Sequence, residues 1–412
     1  MKKLILLVFF CNSIWAMKEY YSLSRSYRAL GMGGAFYGLS DDEYALFYNP
    51  AGLTSYKESW QLMAHLDGQC SLDALSGVPT VAGMFDSSKT FNDVVTAIGQ
   101  LQGKPIYIQT GVLAFYRRRN WAVGLLLFDT KADFAFLGKE FDTSLDLTAI
   151  SDSGLFWGYS APMLNGNFRL GTNFKAVLRA GGTKAYSLLD SAEGAKFNAD
   201  PQTMGGAGLG LDVDIGAIYL FPRLLGKLTR VGLTLSNLVG TNFPYLRVGS
   251  APPPLARTLG LGVATTFSGW RFIDEFTVVL DVADIPLGGQ PLEDLGGRTG
   301  SWSKHIHIGL EMPMHGWFFV RTGLHQGYPT AGLGIKTHHI KLDLTYYTEE
   351  LGIGTGRINS PRLALRLSAG WESPREPREI LPTERRVVPL PSKGVPSKNE
   401  HKVWREIPKI VR

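Results

Sequence analysis

In the stretch HHIKLDLTYYT, residues 338–348, Ile340, Leu342, Leu344 and Tyr346 are apolar, while His339, Lys341, Asp343 and Thr345 between them are polar. A strand turns successive side chains to opposite faces, so this alternation makes one face greasy and the other wet. The same split recurs in RLALRLSAGW, where Leu363, Leu365, Leu367, Ala369 and Trp371 oppose Arg362, Arg366, Ser368 and Gly370. In KHIHIGLEM, Ile306, Ile308 and Leu310 oppose His305, His307 and Glu311. Along the whole chain the pattern predicts fourteen strands, centred near residues 63, 111, 128, 152, 178, 214, 234, 262, 278, 307, 320, 332, 343 and 366. An even number of segments, most about ten residues long, is what tilted strands crossing a bilayer require.

The links between these strands alternate in length. Short turns are expected at 117–120, 164–167, 222–227, 268–271, 313–316 and 336–339, and longer links at 67–104, 189–206, 241–257 and 285–301. Short turns on one side and long loops on the other are the habit of outer-membrane barrels. A soluble sandwich or propeller would also alternate. It is disfavoured because the apolar rows quoted above carry no charge, and an Arg or Lys facing lipid at mid-depth costs roughly 2–4 kcal/mol. Trp121, Trp157, Tyr159, Tyr219, Tyr346 and Trp371 fall on apolar rows near strand ends, where an interfacial aromatic girdle belongs. The expected fold class is all-β: a fourteen-stranded antiparallel transmembrane β-barrel. Composition agrees, with 48 glycines, 19% charged residues, and no apolar run after the first residues long enough for a spanning helix.

Residues 1–16 (MKKLILLVFFCNSIWA) have the form of a secretory signal: two lysines, an apolar run and a small residue at the cut. The residues before Cys11 lack the small side chains of a lipoprotein signal. Past residue 16 the lone cysteine is Cys70, which excludes an intrachain disulfide and a cysteine metal site. Within the first long link, residues 87–103 read as a short helix with Phe91, Val94, Val95 and Ile98 on one face and Gly103 at its end, placed to form a lid over the barrel mouth. Residues 372–412 carry seven prolines and ten Lys/Arg against six Glu, a composition that does not build a core. That segment is expected to be a disordered periplasmic extension or a tether for a periplasmic partner. Its surplus of +4 equals the stated +6 less Lys2 and Lys3, so the barrel is close to neutral and nothing points to nucleic acid.

The stretch ALGMGGAFYGLSDDEYALFYNPAGL, residues 29–53, is too irregular to span. Ser40 and Glu43 read as a capping box for a short helix, and Pro50 ends it at Asn49. Gly31, Gly33 and Gly34 permit close backbone approaches. GMGGAF followed by SDDEYALFYNPAGL resembles the N-terminal signature of the FadL superfamily of outer-membrane proteins, particularly its PorV-like and uncharacterised branches. The resemblance implies a plug before the Asn-Pro-Ala turn, inside a fourteen-stranded barrel. Hydrophobic, fatty-acid-like molecules then enter from outside, shift the plug and leave sideways through a gap in the wall, without cofactor or catalysis. The implied organisation is a plug over 17–56, a barrel over 57–371 and a tail over 372–412. Candidate ligand or gating residues are Gly33, Gly34, Phe36, Phe47, Asn49, Pro50 and Ala51. For Asn49–Ala51 a wedge that merely fixes the plug stands beside the gating role. The basic, proline-rich tail departs from the family pattern. As an alternative function, the PorV-like branch implies an outer-membrane platform for protein secretion or surface attachment. The implied partners are outer-membrane lipid, a hydrophobic ligand and a periplasmic protein.

Inward positions carry both signs: Arg169, Arg179, Asp212, Asp214, Arg321, Lys341, Asp343, Arg362 and Arg366, together with Asp146, Asp152, Lys175, Arg230, Asp281 and Glu311. Opposite charges across strands are ordinary stabilisers, and the expected arrangement is a network of ion pairs. A polar conduit is the functional alternative. His305, His307, His338 and His339 are the possible bases of a membrane hydrolase, and His305 and His307 are spaced for a metal pair. No G-x-S-x-G nucleophile motif accompanies them, so lumen or turn histidines are expected, with no metal.

Overall fold

The structure is a computed structural model that describes residues 22–55, 60–84, 91–137, 144–187, 205–287, 302–351 and 358–373. The expected signal at 1–16 and the tail beyond 373 lie outside the described residues, as do the side chains of Phe91, Val94, Val95 and Ile98. The strands are β1 (Trp60–Ser71), β2 (Ile106–Arg118), β3 (Trp121–Leu137), β4 (Ser144–Met163), β5 (Phe168–Ser187), β6 (Gly206–Pro222), β7 (Leu228–Ser236), β8 (Tyr245–Val248), β9 (Thr258–Ser268), β10 (Glu275–Pro286), β11 (Ile306–Met314), β12 (Phe318–His325), β13 (Tyr328–Lys336), β14 (Ile340–Glu350) and β15 (Asn359–Glu372). Each pairs antiparallel with its neighbours, β15 returns to β1, and the ring closes. Fourteen strands form that ring, as expected from the alternation. The four-residue β8 is an addition, paired only to the first part of β6.

Closure follows from the chemistry of the bilayer, where an unpaired backbone group costs several kcal/mol and an open sheet edge is not tolerated. With the edges gone, side chains sort by the two-residue period. Outward Leu342, Leu344, Leu363, Leu365 and Leu367 are exposed, and inward Thr345, Tyr347, Arg362, Ala364 and Arg366 are buried. Register then places opposite inward charges side by side: Asp67 with Arg366, Asp152 with Arg179, and Glu311 with Arg321. The β12–β13 link, on the side of the long loops, is a two-residue hairpin. Its Gln326 (φ 53°) and Gly327 (φ 89°) take the positive angles that match the twist of the flanking strands.

Three local expectations need correction. The helix at 43–46 is a 3₁₀ turn capped by Asp42, whose carboxylate accepts from Tyr44 N; Ser40 instead donates to Phe36 O. Pro50 does not simply end that turn but opens a second one, Pro50–Ser55, because its fixed φ suits a first helical position. After the short α1 (Tyr27–Gly31) of the N-terminal segment, the link after β1 holds two helices, α2 (Leu72–Met84) and α3 (Phe91–Leu101). Ala74 of α2 and Leu101 of α3 pack with Cys70, Ile106 and Phe134, which sit on outward rows at the tops of β1, β2 and β3. The pair thus leans on the outside of the wall and does not cap the mouth.

Leu365→Arg, on an outward row midway along β15, is expected to lower stability by about 2–4 kcal/mol, whereas Leu164→Arg in the β4–β5 turn should cost about 0–1 kcal/mol. Urea titrations of vesicle-reconstituted protein followed by tryptophan fluorescence will measure both.

Candidate functional site

The ring encloses the N-terminal segment Ser22–Ser55, which crosses the barrel from its long-loop half to its short-turn end. Near the long loops, Arg25 pairs with Glu349 at 2.8 Å. At the other end Arg117 donates to Leu53 O at 2.6 Å and Ser160 to Ala51 O at 3.0 Å. Most of the segment is buried, with Ala29, Met32, Ala35, Phe36 and Leu39 in the main core cluster. A segment with so irregular a backbone needs partners for its N–H and C=O groups, and the polar inner rows supply them.

Asp281 of β10 is one of these partners. Its Oδ2 accepts from Phe36 N at 2.5 Å and Tyr37 N at 2.6 Å, with Gly38 N–H turned toward the same carboxylate. Consecutive N–H groups converging on one carboxylate make an anion-holding concavity. Across the segment, Arg28 forks onto Glu311 (2.8 and 2.6 Å) and reaches Asp41 (2.7 Å) and Asp42 (3.0 Å). Arg321 joins Glu311 to Asp343 at 2.8 and 2.6 Å. Arg366 holds Asp67, donates to Arg25 O, and lies between the rings of Tyr27 and Tyr44, 4.3 and 4.4 Å from their centroids. Close docking also needs bare backbone on the wall. A methyl group on Gly262 would overlap Gly38 N and the Asp281 carboxylate, and one on Gly323 would meet Gly33 N at 2.5 Å.

The sequence-predicted residues are distributed over this interface. Gly33 (φ 67°) and Gly34 (φ 83°) form the turn whose carbonyl Gly33 O faces His307 and His325. Phe36 is fully buried under Arg28 and edge-on to Tyr48, while Phe47 packs on Phe156. Asn49 Nδ2 points at Tyr37 O, Ala217 O and Leu233 O, and its Oδ1 accepts from Ala51 N. Pro50 and Ala51 rest on the wall at Gly171 and Gly216. Among the lumen charges, Arg179 grips Asp152 (2.7 and 2.9 Å) and Asp214 holds Lys175 (2.6 Å), while Lys341 reaches Glu43 (3.5 Å). Arg169 donates to Ser55, and Arg362 lies 3.5 Å over the Tyr107 ring. His305 and His307 do not meet: His305 faces Ala283 O, and His307 stands 3.2 Å from His325, a residue the sequence reading passed over. Among the described residues no group of three or more His, Cys, Asp or Glu is placed to hold a metal ion.

Two features break the packing between the segment and the wall. One is a cavity of about 100 Å³ between the segment and the wall, lined by Tyr37, Phe47, Tyr48 and Leu255 and by the polar Lys175, Asp214, Asn237 and His325. The other is a seam beside it. Strand β7 stops at Ser236 while β6 runs on to Gly206, so the middle of β6 has no strand neighbour on that side. Loop residues replace it: Asn237 takes a left-handed φ of 56°, Leu238 N donates to Val213 O, and Val239 N and Thr241 N donate to the Asp212 carboxylate. Phe243 then turns inward to the core cluster and stacks under Arg179.

The structure is similar to the CymD monoaromatic hydrocarbon channel, with 12% identity over 87% of this chain and 100% of that one, and a TM-score of 0.47. It is likewise similar to the toluene transporter TbuX of Ralstonia pickettii (13% identity, 84% and 98% covered, TM-score 0.46). A FadL homologue of Pseudomonas aeruginosa aligns at 8% identity over 86% of this chain and 100% of its own, with a TM-score of 0.32. The fourteen-stranded ring rests on the strand pairing described above. No family model and no curated protein matches the chain.

Two carboxyls of the segment are shifted in opposite directions. Burial, reinforced by Glu43 and Asp41, pushes Asp42 up to about 6 against the pull of Arg28. Burial also pushes Glu43 upward, but Lys341 and His65 outweigh it and hold Glu43 at about 2. A raised carboxyl favours the folded state below its ordinary 3.8, and that contribution is lost as pH rises through 6; the Glu43 contribution is intact above 4.5 and is lost only toward 2. Between pH 5 and 7, therefore, the Asp42 contribution falls while that of Glu43 holds. The Asp42 share of the segment's protease protection should weaken over that range by on the order of 1–2 kcal/mol, and Asp42→Asn, which keeps the cap, should remove that share of the pH dependence.

Asp281→Ala strands at least two buried N–H groups and should weaken docking of the segment by about 2–5 kcal/mol, with Asp281→Asn largely restoring it. Limited proteolysis between Ser22 and Ser55 measures the loss, and heat-modified gel mobility should show the ring itself still closed.

Proposed function

We propose that this protein is a bacterial outer-membrane channel through which hydrophobic, fatty-acid-like small molecules diffuse passively, with residues 17–56 as its gating plug. On this reading 1–16 is the export signal, 57–371 the barrel, and 372–412 a periplasmic extension with room for a partner. The observation that carries it is the cavity between the segment and a seam where loop replaces strand. A lipid-soluble molecule that reaches that cavity has a short way into the bilayer if the seam loop gives. A wall of continuous strands would present a full ladder of backbone hydrogen bonds instead. At about 100 Å³ the cavity is smaller than the ~150 Å³ space that holds one benzene, so passage requires the segment or the seam loop to move.

The groups arranged at the seam suit that movement. Its closure depends on the Asp212 carboxylate holding Val239 N and Thr241 N, a few hydrogen bonds worth about 0.5–3 kcal/mol each, where a full strand pair would need many to break together. Asp281 holds Phe36 N and Tyr37 N in the same way, as one of the contacts that dock the segment. Gating is thus assigned to contacts that open without unzipping the ring.

Uptake measured in cells lacking the protein, and in cells carrying wild type or Asp281→Ala, tests the proposal. Loss of the protein should slow entry of some members of a panel of hydrophobic compounds, and Asp281→Ala should admit them faster than wild type. Unchanged uptake across the panel would remove the transport reading, and a stoichiometric protein partner bound without effect on uptake would favour a platform.

A further inference from the structure

The two helices after β1 differ in the faces they leave uncovered. On α3, Asp93, Thr96 and Gln100 are exposed, the ordinary outer face of a helix in water. On α2 the exposed positions among the described side chains are Leu72, Leu75, Ser76, Val78 and Pro79, four of the five apolar, with Leu75 at 68% exposure, and the helix carries no charge except Asp73. A helix that faces water presents polar residues on the side away from its packing contacts, so this pattern calls for an apolar neighbour.

The position of α2 identifies that neighbour. Ser71 ends β1, accepts from Ala74 N and Tyr107 N, and donates to Pro105 O, so the helix starts directly from the wall. Its inner face, Ala74 and Gly77, sits on Ile106, an outward residue of β2. Twelve residues of β1, tilted by about 45°, rise on the order of 30 Å, close to the hydrocarbon thickness of a bilayer. The exposed lipid-facing row Leu66, Ile108, Leu363 and Leu365 therefore runs up to the level of α2 and continues into Leu72 and Leu75.

We propose that α2 is an interfacial membrane helix, lying against the rim of the barrel with Leu72, Leu75 and Pro79 among the acyl chains of the outer leaflet. It adds apolar area to the band on one side of the ring, over β15, β1 and β2, and so fixes the depth of that side in the bilayer. This assignment rests on the lipid-facing rows and is independent of what the barrel transports.

The test uses full-length protein with Cys70→Ser, carrying Leu75→Cys labelled with an environment-sensitive fluorophore in phosphatidylcholine vesicles. Leu66→Cys on the β1 lipid face and Gln100→Cys on α3 are the references, and heat-modified mobility verifies each barrel. Lipids spin-labelled high on the acyl chain should quench the Leu75 probe about as strongly as the Leu66 probe, while aqueous iodide should reach only the Gln100 probe. Leu72→Cys repeats the measurement should Leu75→Cys fail to fold. Quenching by iodide without quenching by lipid would overturn the proposal. So would shielding from both quenchers, which would mean that protein covers this face.

Discussion

A β-sheet placed in lipid has no water to satisfy its edges, and this single requirement organises the molecule. It closes the fourteen strands into a ring, and the two-residue period then sends every second side chain inward. A lumen lined in that way is polar, with Asp67, Asp152, Asp281, Glu311, Arg179, Arg321 and Arg366 all buried. Such groups are tolerated only when paired. Some pair across strands, but Asp281 and Thr345 find partners in residues 22–55, and Glu311 joins Arg321 across the strands to Arg28 of the segment, so the segment inside the ring completes the wall that surrounds it.

The interior gains a division of labour from this arrangement. Strand ladders hold the ring, and their cooperative hydrogen bonds do not yield one at a time. Carboxylates hold the segment and the seam loop, Asp281 the one and Asp212 the other, through a few contacts each. Asn49 is a further fixed point, since its amide meets carbonyls of the segment, β6 and β7 together. That geometry fits a wedge at the short-turn end, with any displacement of the segment largest toward Gly33 and Phe36.

The ring was legible in the sequence because alternation is a local signal that repeats. The centres predicted near 343 and 366 fall inside β14 and β15, where one face is entirely apolar. Strand β8 was not legible: its four residues are exposed on both faces and carry no alternation. Helix α2 was hidden for a related reason, since its exposed leucines remove the amphipathic contrast that marks a water-facing helix. Ser40 read as the cap from its spacing to Glu43, but in the folded segment it takes a left-handed φ of 29° and donates to Phe36 O, and Asp42 holds the cap position. Inward charges could be enumerated, yet their roles depend on partners far along the chain. Nothing local distinguishes Asp281, which holds the segment, from Asp152, which holds Arg179, and the His307–His325 contact is fixed only by the register of β11 on β12.

On the proposed function, the docked segment moves when a ligand passes. Electron–electron distance measurement between spin labels at Ser22→Cys and the outward Leu363→Cys, in Cys70→Ser protein reconstituted in bilayers, tests this most directly. A narrow distance distribution without ligand, broadening or shifting when a transported hydrophobic compound is added, is the predicted result. An unchanged distribution under conditions in which the same compound crosses through the protein would contradict it.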